Sequence, residues 1–201
     1  QQNIGKLDVV LKMNYRESAE TLAKRNLTLT LKNVSNGSSQ TLSLGGEDSV
    51  QDFKIDGVAA KAAITLHNPE DAPISGNDKV GFYLVEFTGL PLSASYHVTF
   101  EGQGFRPAER HGIANNEYVP KVYISAESGG FSLGDVNSDK AIDQKDLDKV
   151  SSTLGNFDNA ADVNLDGVID ITDIALVHHN MGQARPAEIY EGALVTVGLI
   201  D

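Results

Sequence analysis

The chain has 201 residues and a mass of 21.5 kDa, enough for one large or two small domains and for a core that needs no covalent staples. It contains no cysteine, which excludes disulfide frameworks, thiolate catalysis, iron–sulfur clusters and thiolate zinc sites. Lys and Arg total 16 against 28 Asp and Glu, so the net charge is −12, a poor surface for nucleic acid or anionic membranes, and no apolar run is long enough for membrane insertion.

The opening Gln1-Gln2-Asn3 carries neither an initiator Met nor a signal peptide, and reads as the start of a mature or excised piece of a longer chain. From there to about Glu127 the pattern is period two. Apolar residues alternate in Leu7, Val9, Leu11 and Met13, in Leu27, Leu29 and Leu31, and in Tyr96, Val98 and Phe100, which predicts strands with one buried face. Arg16 to Lys24 fits either a helical turn or a polar loop. Further strands are predicted near 39–44, 51–56, 60–66, 80–88 and 119–126, bounded by Asn36-Gly37, Gly45-Gly46, Asn68-Pro69 and Gly89-Leu90-Pro91. Seven or eight short strands at this spacing predict an antiparallel β-sandwich, immunoglobulin-like or prealbumin-like.

At Gly129-Gly130 the composition changes. Residues 134–183 hold ten Asp, no Glu, three Lys and no Arg, a net charge of −7. Choosing the short Asp over the better helix former Glu makes sense where carboxylates must converge on a cation. Laying the chain on itself at a shift of 27 residues aligns Asp135 to Asp146 with Asp162 to Asp173. A twelve-residue EF-hand loop ligates Ca²⁺ from positions 1, 3, 5, 9 and 12 and from the backbone carbonyl of position 7. The candidate ligands are therefore Asp135, Asn137, Asp139, Ala141, Asp143 and Asp146 in loop one, and Asp162, Asn164, Asp166, Val168, Asp170 and Asp173 in loop two, for two Ca²⁺ ions. Position 6 needs a turn with positive φ. It is Gly167 in loop two but Lys140 in loop one, which predicts that site one is the weaker. Ile142 and Ile169, at position 8, predict a short β-contact between the loops.

Each loop leads into a predicted helix, with Leu147, Val150 and Leu154 on one stripe and Ile174, Val177 and Met181 on the other, closed by Gly155 and Gly182. No entering helix precedes loop one: Gly129-Gly130-Phe131-Ser132-Leu133-Gly134 is too short and glycine-rich. Each unit is half an EF-hand. Duplicated loop–helix units with Asp at position 12 and an Asp-x-Asn-x-Asp-Gly-x-Ile-Asp core resemble the dockerin domains of bacterial cellulosomes. The segment Asp173 to Gly182 looks most like the type II class, which usually follows an X module. The run Gly81 to Pro91 with Tyr96 to Phe100 is similar to the end of such modules.

That resemblance implies an X-like β-sandwich over 1–131 followed by an α-helical dockerin over 134–183, with repeats 135–156 and 162–183. It implies a non-catalytic, calcium-dependent module, extracellular or on a bacterial surface, that binds a cohesin domain of a scaffoldin or anchoring protein. By family analogy the contact stripes are Gln144, Lys145, Asp148, Ser151 and Ser152 in repeat one, and Ile171, Thr172, Ala175, His178 and His179 in repeat two. One stripe is polar and the other carries Ile and two His, which argues for a single docking orientation. The tail 184–201 is too apolar for a free linker and is predicted to return as a strand.

Other sites are weaker. His178 and His179 are adjacent, not i, i+4, so they do not share a metal. The triplets Asn26-Leu-Thr, Asn33-Val-Ser and Asn36-Gly-Ser match a glycosylation pattern that is frequent by chance in Ser/Thr-rich strands. No nucleophile elbow, His-Glu-x-x-His or phosphate-cradling glycine pattern occurs. With no Trp and 6% aromatics, a sugar cleft is improbable on composition. The competing function is a carbohydrate-binding sandwich with a calcium-stabilised appendage, which an exposed row of aromatics would favour.

Overall fold

A computed structural model describes residues 5–13, 15–68, 78–92, 94–114, 121–124 and 132–182, with the side chains of 109–123 excepted. The tail 184–201 and its predicted strand lie outside these residues. Among the described residues nine strands form two packed sheets. The first has the order β4-β5-β6-β1-β9 and the second β3-β2-β7-β8, where β1 is Gly5–Lys12, β2 Thr28–Asn33, β3 Ser39–Ser43, β4 Ser49–Ile55, β5 Val58–His67, β6 Phe82–Leu90, β7 Ser95–Glu101, β8 Ala108–Ala114 and β9 Lys121–Ile124.

The period-two beats point into the sandwich. Leu7, Val9 and Leu11 of β1, Leu29 and Leu31 of β2, Tyr83, Val85 and Phe87 of β6, and Tyr96, Val98 and Phe100 of β7 are all fully buried. Each such side chain contributes roughly 1.5–3 kcal/mol. Because four of the large aromatics are spent on this core, they form no exposed row for a sugar. Of Arg16 to Lys24, residues Ala19–Ala23 form α1, capped by Ser18, whose hydroxyl accepts from the Thr21 amide, and Leu22 is buried beneath it.

Two expectations need correction. β8 is a ninth strand that alternation does not announce, since Ala108-Glu-Arg-His-Gly-Ile-Ala has only one strong β former; its pairing with β7 supplies the missing drive. The sandwich is also not wholly antiparallel, because β9 runs parallel to β1, pairing Val9 with Val122 and Leu11 with Ile124. β9 arrives from the opposite sheet, so no hairpin constrains its direction.

Hairpin turns are locked from within. β4 and β5 close through Asp56-Gly57, with φ of 54° and 75° and Ile55 paired to Val58, the geometry a two-residue hairpin with matching twist requires. The Asp56 carboxylate then accepts from Nδ2 of Asn33 and of Asn36, each at 2.5 Å, and from the Ser38 hydroxyl, tying this turn to the β2–β3 turn. Desolvation pushes the Asp56 carboxyl up more than any one of these hydrogen bonds pulls it down, but the three together hold it below the usual carboxylate range.

The sandwich core continues without a break into the segment after residue 132. Leu133, Val136, Ile142, Val150, Ala161, Val163, Ile169 and Val177 belong to the same buried cluster. Backbone crosses the boundary too. Phe105 and Leu133 form a β-bridge, the Gly134 amide donates to the Gly104 carbonyl at 2.7 Å, and the Arg106 amide donates to the Ser132 carbonyl at 2.8 Å.

Candidate metal centre

The two Asp-rich loops match bond for bond. In each, the position-12 carboxylate is swallowed by its own loop. Oδ1 of Asp146 accepts from the amides of Val136 (2.9 Å) and Asn137 (3.2 Å), and Oδ2 accepts from the Asp143 amide (2.9 Å). Asp173 takes Val163 (2.7 Å), Asn164 (3.2 Å) and Asp170 (2.9 Å) in the same way. At position 1, Asp135 accepts from the amides of Asp139 and Lys140, and Asp162 from those of Asp166 and Gly167. Position 3 follows suit, with Oδ1 of Asn137 and of Asn164 taking the position-5 amide. At position 5, Asp139 and Asp166 each accept from the amide of the residue that offers the position-7 carbonyl, Ala141 and Val168.

Helix formation follows directly. Asp143 and Asp170 are N-caps, accepting from the amides of Lys145 and Thr172, and the position-12 Asp completes a capping box three residues on. α2, Gln144–Thr153, and α3, Ile171–Asn180, therefore start where the loops end. The Gly182 amide donates to the Ile142 carbonyl at 2.9 Å, so the end of α3 lies beside the start of α2. The predicted contact between Ile142 and Ile169 is replaced by this bond. Both isoleucines are buried, as their apolar character requires.

Positive φ occurs at position 6 as predicted, 71° in Lys140 and 90° in Gly167, and also at position 4, 62° in Ser138 and 57° in Leu165. Val150 and Val177 are fully buried, while Leu147, Ile174 and Met181 are partly buried against the core. Leu154 departs from the predicted stripe. It is the C-cap, with ψ of 128°, and its side chain turns out to 45% exposure.

Charge distinguishes the loops from ordinary surface. Asp146 and Asp173 are fully buried, and Asp135 and Asp162 nearly so. Burial, with Asp146 and Asp139 nearby, pushes Asp135 up to about 6, and burial with Asp173 and Asp166 raises Asp162. Among the described residues the only lysine paired to these carboxylates is Lys145, whose Nζ lies 3.3 Å from Asp139 and 3.8 Å from Asp143 on the exposed rim of loop one. Against burial, the Ala141 amide and Lys145 hold Asp139 below the usual range. Buried carboxylates held by amides, and short of balancing cations, fit a hard cation, and the donors are all oxygen. As the loops stand, no three His, Asp or Glu side chains among the described residues close on one point to hold a metal; the carboxylates face the loop amides.

All ten predicted contact residues are exposed: Gln144, Lys145, Asp148, Ser151 and Ser152 on α2, and Ile171, Thr172, Ala175, His178 and His179 on α3. Ile171 reaches 74%. Other residues at the centre were not legible beforehand. Asn180 is buried and donates from Nδ2 to the Leu133 carbonyl at 2.8 Å. Lys149 donates to the Val136 carbonyl at 3.0 Å. Arg25, from the sandwich, is fully buried. It pairs with Glu17 and donates to the carbonyls of Gln103 (2.9 Å) and Val163 (2.7 Å). Burial raises the Glu17 carboxyl although Arg25 pulls against it. Asp-x-x-Asp at 143–146 and 170–173 could have announced the capping boxes, whereas Arg25 has no local signal.

Residues 133–182 match the family model of the dockerin type I domain. No curated protein matches the chain. Among solved structures it is similar to a chain of an N-terminal interface mutant of the type II cohesin–X–dockerin complex from Acetivibrio cellulolyticus. The TM-score there is 0.52 at 13% identity, covering 90% of this chain and 99% of the other. A C-terminal interface mutant of that complex gives 0.49 at 13% identity, covering 89% and 96%. No helix among the described residues is long and apolar enough to cross a membrane. Residues 133–182 are thus similar to dockerin type I domains, and the sandwich packed before them gives the whole chain a fold like that of an X–dockerin chain.

Proposed function

We propose that the chain is a non-catalytic protein-docking module in which two Ca²⁺ ions fold the repeat and the outer stripes of α2 and α3 bind a cohesin domain. The observation that carries this reading is the pair of loops with the same ligand spacing and the same carboxylate–amide bonds, each sinking two carboxylates into the fold, beside helices whose ten candidate contact residues are all exposed. Asp135, Asn137, Asp139, Asp143 and Asp146, with the Ala141 carbonyl, would hold one ion. Asp162, Asn164, Asp166, Asp170 and Asp173, with the Val168 carbonyl, would hold the other. Calcium supplies the positive charge that lets these oxygens stay together, and the protein's part is to present them and cap the helices. The sandwich over 1–131 buttresses the dockerin over 134–183. The extracellular or cell-surface role, attaching a scaffoldin or a polysaccharide-degrading enzyme to a larger assembly, belongs to the same proposal.

Capture by a panel of type I and type II cohesins, with calcium and with excess EDTA, tests it. Binding to at least one cohesin in calcium, lost in EDTA together with helical circular dichroism, is the expected result. Calcium binding at a hundredfold excess over Kd stabilises by about 2.7 kcal/mol per site. An unchanged helical spectrum in EDTA, or no cohesin bound, overturns it.

A further inference from the structure

The repeat is symmetric in its loops but not in what supports them. In loop one, the peptide group joining Val136 and Asn137 is held at both ends. Its carbonyl accepts from Nζ of Lys149 at 3.0 Å, and its amide donates to the buried Asp146 at 3.2 Å. A shift of 27 residues places Leu176 where Lys149 stands, so repeat two has no lysine of its own for this task. The equivalent peptide, Val163 to Asn164, nevertheless meets a cation. Its carbonyl accepts from Nη2 of Arg25 at 2.7 Å and its amide donates to Asp173 at 3.2 Å.

We propose that Arg25 of the sandwich is a positioning residue for the second calcium loop, supplying from outside the repeat the cation that Lys149 supplies from within repeat one. The inference rests on reading both loops as calcium sites. A cation on the carbonyl fixes the plane of the peptide and polarises it, which strengthens the amide's bond to the position-12 carboxylate. Without that donor a carbonyl in a nearly fully buried residue loses its partner, and one of the three amides orienting Asp173 is free to turn.

Arg25 is built to stay in place. Both oxygens of Glu17 engage it, Gln103 takes a third bond, and its guanidinium lies 5.0 Å from the Phe105 ring centroid. Gly104, at φ of 78°, makes room: a Cβ there would come within 3.0 Å of Nη1. Because Glu17 balances the charge, the pair orients the loop without adding net positive charge beside an incoming cation.

The test is calorimetric calcium titration of the full chain, with hydrogen exchange of the Asn164 amide in the calcium-loaded chain as a second, structural readout. The variants are Glu17→Gln with Arg25→Met, the same pair plus Leu176→Lys, and Lys149→Met alone. Site two of the first variant should weaken at least about tenfold with site one within about twofold, and the Asn164 amide should exchange faster. Leu176→Lys should restore most of the lost affinity, and Lys149→Met should weaken site one instead. The assignment is overturned if a folded Arg25 variant keeps both affinities, if both sites fall together, or if Leu176→Lys rescues nothing. Should that variant not fold, an unchanged site one in Lys149→Met overturns it. A wild-type chain that binds no calcium defeats the underlying reading, and the assignment with it.

Discussion

Asn180, near the end of α3, donates from Nδ2 to the carbonyl of Leu133, 47 residues earlier, at 2.8 Å, and so clasps the last turn of the dockerin to its first residues. Both groups are buried. Asn180→Leu removes the donor while keeping the branched shape of the side chain, and the expected cost is about 1–3 kcal/mol. A lowered midpoint of the helical circular dichroism signal would show it; an unchanged midpoint would mean that the bond contributes nothing net.

Lys140 occupies position 6 with φ of 71°. Glycine adopts that conformation without the steric cost a side chain incurs, about 1 kcal/mol. Lys140→Gly should therefore tighten site one several-fold and leave site two alone. Calcium titration resolves the two sites, and a weakened site one would show that the lysine side chain contributes more than its backbone costs.

Acidity should act in opposite directions on the metal-free and calcium-loaded chain. Burial and neighbouring Asp146 and Asp139 raise Asp135 to about 6 in the metal-free fold, from an ordinary value of 3.8, and Asp162 is raised as well. A raised carboxyl stabilises the fold below its unfolded value, and that contribution is lost as pH rises through the folded one. In EDTA the helical circular dichroism lost at about pH 7.5 should be partly recovered at about pH 5, where these carboxyls are protonated. With calcium present the trend should reverse, because the metal needs the ionised form and affinity falls below about pH 6. Parallel trends in both conditions would contradict the placement of Asp135 and Asp162 as ligands.

The contact stripes differ in what they offer a partner. Ile171 is 74% exposed on α3, with His178 exposed further along the helix. Burying an isoleucine contributes roughly 1.5–3 kcal/mol, and binding energy concentrates in few such groups. Ile171→Asp with His178→Ala should weaken cohesin binding at least about a hundredfold. Gln144→Ala with Ser151→Ala should change it little. Surface plasmon resonance at saturating calcium compares them, and dominance of the repeat-one pair would indicate docking in the opposite orientation.

The parts of the fold legible in the sequence are those specified by short-range spacing. Leu7, Val9 and Leu11 alternate because one sheet face is buried, and Asp135 with Asp146 read as a loop because every bond they make lies within twelve residues. What failed depended on distant chain. β8 is held by β7 and not by its own propensity, and β9 takes its direction from crossing between sheets. Leu154 continued the helical period in sequence, but the helix ended one residue before it. Arg25 meets Val163 across 138 residues, and no periodicity carries information over that span. The polar stretch around Arg25 reads as ordinary surface, and nothing in the Asp-rich loop around Val163 points to a partner outside the repeat.

The Asp56 network has a practical consequence for making this protein in yeast or animal cells. Asn33 and Asn36 both stand in acceptor triplets for N-linked sugars, and the side-chain nitrogens that would carry the glycan are the ones donating to Asp56. Asn33 is buried besides. In a eukaryotic secretory route, oligosaccharide transfer and closure of the β2–β3 turn would compete for the same amides. A chain modified at Asn33 before the turn closes could not seat that residue, so the yield of native protein would be set by which event comes first, and Ser35→Ala would remove the contest at Asn33 while keeping its bond to Asp56.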